Sequence, residues 1–163
     1  MPTIAELVRA RAADEHPAIL YEDRSWSYAE YVTACAERAA LLDELRRPGP
    51  FHVGVLLDNV PEFAVWLGAA AVAGAVVVGI NPTRRGTELA RDITHTECQL
   101  LVTEGLHAPL LDGVDTGVGP DRTFDVESAD YAESIGRHRG AALPDVEVSE
   151  SDLYLLLFTS GTS

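Results

Sequence analysis

The leading residues set hydrophobic positions at helical spacing. Thr3 followed by Glu6 has the spacing of a capping box, and Ile4, Leu7 and Val8 share one face, predicting a helix that runs to about Asp14. Residues 18–21 and 25–28 read as two short strands joined by a turn at Asp23 and Arg24, a small hairpin. Ser27 and Glu30 repeat the capping box and open a long helix with Tyr31, Ala34, Cys35, Leu42 and Leu45 on its apolar side. Pro48, Gly49 and Pro50 end it.

A different pattern follows. Residues 53–57 form an apolar run without alternation, as suits a strand covered on both faces. Asn59, Pro61 and Glu62 then mark a helix start, in cap, first-turn and dipole-favoured positions. That helix ends near Gly74, residues 75–80 make a second buried strand, and Asn81 and Pro82 break it. A shorter helix over 86–95 and an apolar strand over 99–103 complete the series. Strand, helix, strand, helix, strand with short loops predicts an α/β fold: a mainly parallel sheet with crossover helices. Strands 53–57, 75–80 and 99–103 should be neighbours in it. Beyond Gly105 the pattern weakens. Gly113, Gly117, Gly119 and Pro120 interrupt any period, leaving a short strand at 123–126, a helix at 128–138 and an extended polar connector at 144–151. Six residues, 153–158, then form a last apolar run.

Residues 63–80 contain no charge and approach the length of a membrane span. Half of them are Ala and Gly, and the stretch divides at Gly74 into an Ala-rich helical part and a Val-rich strand part, so no transmembrane segment is assigned. Charged residues Glu6, Arg9, Arg11, Asp14 and Glu15 stand where a signal peptide would need an apolar core. Cys35 and Cys98 have no paired spacing and read as buried thiols of a reducing, cytoplasmic setting.

The formal charge is −14, from 26 acidic residues against 12 basic ones, all of them Arg because the sequence contains no Lys. Such a surface repels nucleic-acid backbones and anionic lipids, so neither is assigned as a partner. It also means that a phosphate site here must rely on backbone N–H groups, a metal ion or basic residues from elsewhere. The apolar run 153–158 feeds directly into Thr159, Ser160, Gly161, Thr162 and Ser163. A buried strand ending in small and hydroxyl residues presents donors at its carboxyl edge, as phosphate sites do, and equally describes a plain polar loop. The loop is not a Walker motif, and Gly113, Gly117 and Gly119 do not have dinucleotide-fingerprint spacing. His52, His95 and His107 share no ligand spacing and read as solvated or packing residues; Arg84 and Arg85 read as a solvent-facing turn, Trp26 and Trp66 as core or interface aromatics.

LYLLLFTSGTS at the end of the chain resembles the signature loop of adenylate-forming enzymes, the superfamily of acyl-CoA synthetases, luciferases and peptide-synthetase adenylation domains. WSYAEY from Trp26, HVGVLLDNVPEF from His52 and AGAVVVGINPTRRGTELARDI from Ala73 resemble further blocks of that family in the same order. INPTRRG followed by CQLLVT looks most like actinobacterial fatty-acyl-CoA ligases, some of which act on steroid side chains. The resemblance implies that residues 1–163 are the first part of the large N-terminal AMP-binding domain, ending within the phosphate-binding loop. It implies a two-step reaction in which ATP and a fatty or steroid-derived carboxylic acid give an acyl adenylate, whose AMP is then displaced by CoA, with Mg2+ as cofactor. Thr159, Ser160, Gly161, Thr162 and Ser163 are the residues it assigns to the ATP phosphates. No catalytic residue and no metal ligand is assigned in the chain, which is expected to be inactive by itself; a homo-oligomer is compatible with this reading. Two alternatives stay open: a fatty-acyl-AMP ligase or other adenylation domain, and a non-catalytic interaction protein that has kept the fold.

Overall fold

The computed structural model describes residues 1–158. The elements are α1 (Ile4–Arg9), β1 (Pro17–Tyr21), β2 (Arg24–Ser27), α2 (Tyr28–Leu45), β3 (His52–Leu56), α3 (Pro61–Ala73), β4 (Val76–Gly79), α4 (Gly86–His95), β5 (Leu100–Thr103), β6 (Thr123–Asp125), α5 (Ala129–Gly136) and β7 (Leu155–Leu157). β1 and β2 form an antiparallel hairpin, and the other five strands form one sheet in the order β6-β5-β3-β4-β7. All four pairings in that sheet are parallel. The three strands expected to be neighbours are its centre, β5-β3-β4.

Both faces of the sheet are covered, which is why its strands read as continuous apolar runs. Val53, Val55, Val77, Leu100 and Val102 face α2, α3 and α5 in one cluster with Trp66, Leu41 and Leu42. Leu56, Val78 and Leu101 face the other way, onto Leu89 and Ile93 of α4. α3 is apolar around most of its circumference because it lies between α1, α2 and the sheet. Gly74 ends it in the left-handed conformation at φ 68°, so the charge-free stretch is a helix, a turn and β4. No helix among the described residues is long and apolar enough to cross a membrane.

Packing of α2 on α3 is close. A Cβ on Gly68 would fall 2.4 Å from the Tyr31 hydroxyl and 2.5 Å from Cys35 Sγ. Cys35 is fully buried there, and burial pushes its thiol up to about 12; burial likewise raises Cys98 to about 11. At pH 8 the thiolate fraction is then on the order of one in a thousand or lower, so a thiol-specific reagent should leave both cysteines unlabelled until denaturant is added. Rapid labelling of the native chain would contradict that placement.

Several local expectations are corrected. α1 stops at Arg9, short of Asp14, because the chain then tightens into three-residue turns, with Arg11 N–H donating to Val8 O, Ala12 N–H to Arg9 O and Asp14 N–H to Arg11 O; the Arg9 side chain donates to the carbonyls of Pro144 (2.7 Å), Val72 (3.2 Å) and Val146 (3.3 Å). Asp14 instead accepts from Arg11 and His16, and its carbonyl takes the Ala29 N–H at the start of α2. The buried face of α1 is Ala5 and Val8, with Ile4 and Leu7 exposed. Asn59 does not cap α3: Val60 holds the cap position without a side-chain bond, and Pro61 begins the helix. Both capping boxes form as the spacing predicts.

Candidate functional site

Parallel pairing points every strand of the large sheet the same way, and the loops beyond β3, β4, β5 and β6 gather at its carboxyl edge. β7, the strand that precedes the candidate phosphate loop in sequence, ends at this edge. Leu155, Leu156 and Leu157 pair with Val77, Val78 and Gly79, and the entry to β7 is fixed by Val77 N–H donating to Tyr154 O (2.9 Å) and the Tyr154 hydroxyl donating to Leu67 O (2.9 Å). Gly79 gives room for this: a Cβ on it would lie 2.6 Å from Leu157 Cδ2. Leu156 and Phe158 pack on the α4-side core, so the strand is anchored up to its last described residue. Thr159, Ser160, Gly161, Thr162 and Ser163, and the expectation that they are mobile in the isolated chain, lie outside the described residues.

Beyond β4, Asn81 closes a turn by accepting from the N–H and hydroxyl of Thr83 (2.9 and 2.8 Å). Arg84 pairs with Glu88 (3.1 Å) and Asp92 (3.6 Å), and Arg85 donates to Pro82 O (2.5 Å), which keeps both arginines in the turn the sequence suggested.

Beyond β3 and β5 the structure joins residues that the sequence did not connect. Glu104 accepts the Asp58 N–H at 2.5 Å, and His107 Nε2 lies 2.7 Å from Asp58 Oδ1 and 3.9 Å from Glu104 Oε1. Glu127, following β6, accepts the Gly105 N–H at 2.8 Å. Glu104 and Glu127 line a cleft of about 430 Å³ whose other walls include Trp26, Tyr31, Arg38 and Glu62. Arg24 reaches over the Trp26 ring at 4.5 Å.

The floor of that cleft is a polar network. Arg38, only 9% exposed, donates to Glu62 through Nη2 (2.5 Å) and Nε (3.2 Å); Tyr131 donates to Glu62 at 2.7 Å, and Trp66 Nε1 donates to Tyr131 at 3.1 Å. Burial, reinforced by the negative charge of Glu62, holds the Tyr131 hydroxyl protonated far above the ordinary tyrosine range. Glu62 is thus the acceptor that ties α3 to α2 and α5. The helical periods gave no sign of it, since its partners are 24 and 69 residues away.

The sequence profile of the family described as AMP-binding enzyme matches residues 8–163. The chain is 45% identical over 162 residues to a steroid-22-oyl-CoA synthetase of Rhodococcus jostii, covering 99% of this chain and 29% of that protein. It is 39% identical over 163 residues to a medium/long-chain-fatty-acid–CoA ligase, FadD17, of Mycobacterium marinum, covering 99% of this chain and 31% of the relative. Among solved structures, the N-terminal domain of FACL13 from Mycobacterium tuberculosis superposes with a TM-score of 0.81 at 26% identity, over 98% of this chain and 42% of that one. The chain therefore spans less than a third of the length of these two curated relatives.

Proposed function

The chain belongs to the family of AMP-binding enzymes, and we propose that it forms part of a ligase joining a fatty or steroid-derived carboxylic acid to CoA through an acyl adenylate. The observation that carries this is the 45% identity, over 99% of the chain, to the Rhodococcus synthetase. In this reading the acid attacks the α-phosphorus of ATP and releases pyrophosphate; the CoA thiol then attacks the acyl carbon and releases AMP. In it Thr159, Ser160, Gly161, Thr162 and Ser163 hold the ATP phosphates by backbone N–H groups and hydroxyls, a role supported by their following β7 in sequence. Mg2+, when bound with ATP, neutralises phosphate charge that this Lys-free, −14 segment does not. None of the described residues is assigned to the metal. These 163 residues are by themselves inactive, and their setting is the cytoplasm, a reading supported by two free cysteines.

The test is thioester formation by the longer protein that contains these residues, assayed with ATP, CoA and a panel of medium-chain, long-chain and steroid side-chain acids. A CoA thioester and AMP in equal amounts are expected with at least one acid class. Acyl adenylate that accumulates and is never passed to CoA would favour the acyl-AMP ligase alternative. Neither product with any acid would overturn the proposal.

A further inference from the structure

We propose that Asp58, Glu104 and His107 form a divalent-cation site at the carboxyl edge of the sheet, built without the residues assigned to the ATP phosphates. The topology brings them together. β3 and β5 are hydrogen-bonded parallel neighbours with Leu56 opposite Thr103, so the residues that follow these strands lie side by side. The turn after β5, closed by His107 N–H donating to Glu104 O (2.8 Å), folds the imidazole back onto both carboxylates. One ligand atom from each of the three lies within 4.8 Å of the others.

The balance of charge points to a cation. Glu104 is only 8% exposed, its Oε1 accepts the Asp58 N–H, and it lines the cleft beside the half-exposed Asp58 carboxylate. Among the described residues neither Asp58 nor Glu104 pairs with an arginine, and His107 is the one basic group within ion-pair distance of them. The nearby charges are otherwise acidic or already committed: Glu127 sits on Gly105 N–H, Glu62 on Arg38, and Arg24 over the Trp26 ring. A carboxylate buried beside a second carboxylate is costly without full compensation. One imidazolium leaves the trio with net negative charge, whereas a divalent ion with neutral imidazole balances it.

Two carboxylate oxygens and one imidazole nitrogen suit Zn2+ or Mn2+, bound at about 2.0–2.2 Å with the remaining positions taken by water. Opening the 2.7 Å His107–Asp58 contact and closing the 3.9 Å His107–Glu104 gap both need shifts of under about 1 Å. β4 lies between β3 and β7, which sets the trio about 10 Å or more from the line of β7. The site therefore does not depend on the proposed ligase activity and is tested without nucleotide.

Mn2+ is titrated into the 163-residue chain in the absence of ATP, with free Mn2+ read by electron paramagnetic resonance. One ion per chain should bind and be displaced by Zn2+. Asp58→Asn, at a side chain half exposed and therefore tolerant of change, and His107→Gln should each weaken binding at least about tenfold while leaving the circular dichroism spectrum unchanged. No bound ion at millimolar Mn2+ would overturn the proposal. So would binding that both variants retain, because the ion would then belong to the general acidic surface and the trio would be an ion pair alone.

Discussion

Incubated with ATP, magnesium, labelled pyrophosphate and a panel of fatty acids, the isolated 163-residue chain is expected to give no exchange above a heat-killed control. Phosphoryl and adenylyl transfer are driven by positioned positive charge and hydrogen-bond donors, and each such donor is worth about 2.7–4 kcal/mol, or two to three decades in rate. This chain has no Lys, and several of its arginines are committed within the fold. Arg38 is held by Glu62, Arg84 by Glu88 and Asp92, and Arg9 and Arg122 by backbone carbonyls. The acyl and adenine groups are also left without assigned contacts among residues 1–163, so positioning is lost together with charge. Pyrophosphate exchange dependent on added acid would contradict this account. Exchange that appears only when the remaining two-thirds of a relative is added would make the chain a competent part of the enzyme.

Glu62→Ala is expected to destabilise the fold by about 3–5 kcal/mol, the usual consequence of removing one partner from a buried ion pair. Arg38 would lose both of its hydrogen bonds to a carboxylate, and the Tyr131 hydroxyl would lose its acceptor. Glu37, 3.6 Å from Arg38, remains as a weaker counter-charge and favours the lower end of that range. A double variant, Arg38→Met with Glu62→Leu, should recover much of the loss, because it leaves no guanidinium buried without its partner. Urea midpoints at constant slope measure both effects. A single variant as stable as the native chain would remove Glu62 from its place as the tie between α2, α3 and α5.

The parallel sheet was legible because it is written in local pattern: buried runs at β3, β4 and β5, each separated by a helix with its own start and stop. Thr3–Glu6 and Ser27–Glu30 specified two helix starts, since capping boxes are satisfied by residues three apart. Gly74 was legible as a helix stop, and its φ of 68° is the reason. The end of α1 was not, because after Arg9 the backbone tightens into three-residue turns that no apolar period or cap residue marks. Nor was the role of the weakly patterned stretch after Gly105. Arg122 donates to the carbonyls of Leu45 and Gln99, and Tyr131 completes the core through Trp66 and Glu62, all of them long-range contacts that no period encodes. At the candidate site, the strand feeding the phosphate loop could be read from its apolar run. The Asp58, Glu104 and His107 cluster could not, because it arises from the side-by-side placement of β3 and β5, whose helix-length separation hides it.

In the proposed function this segment supplies the phosphate-holding loop of an adenylate-forming ligase. Replacing the equivalent residues of the Rhodococcus steroid-22-oyl-CoA synthetase, 45% identical, with these 163 and measuring acid-dependent ATP–pyrophosphate exchange tests that role. The hybrid should exchange, and changing Thr159 to Val together with Ser160 to Ala should lower the rate by about two to three decades. Exchange undiminished by those two substitutions would contradict a phosphate-holding role for the loop.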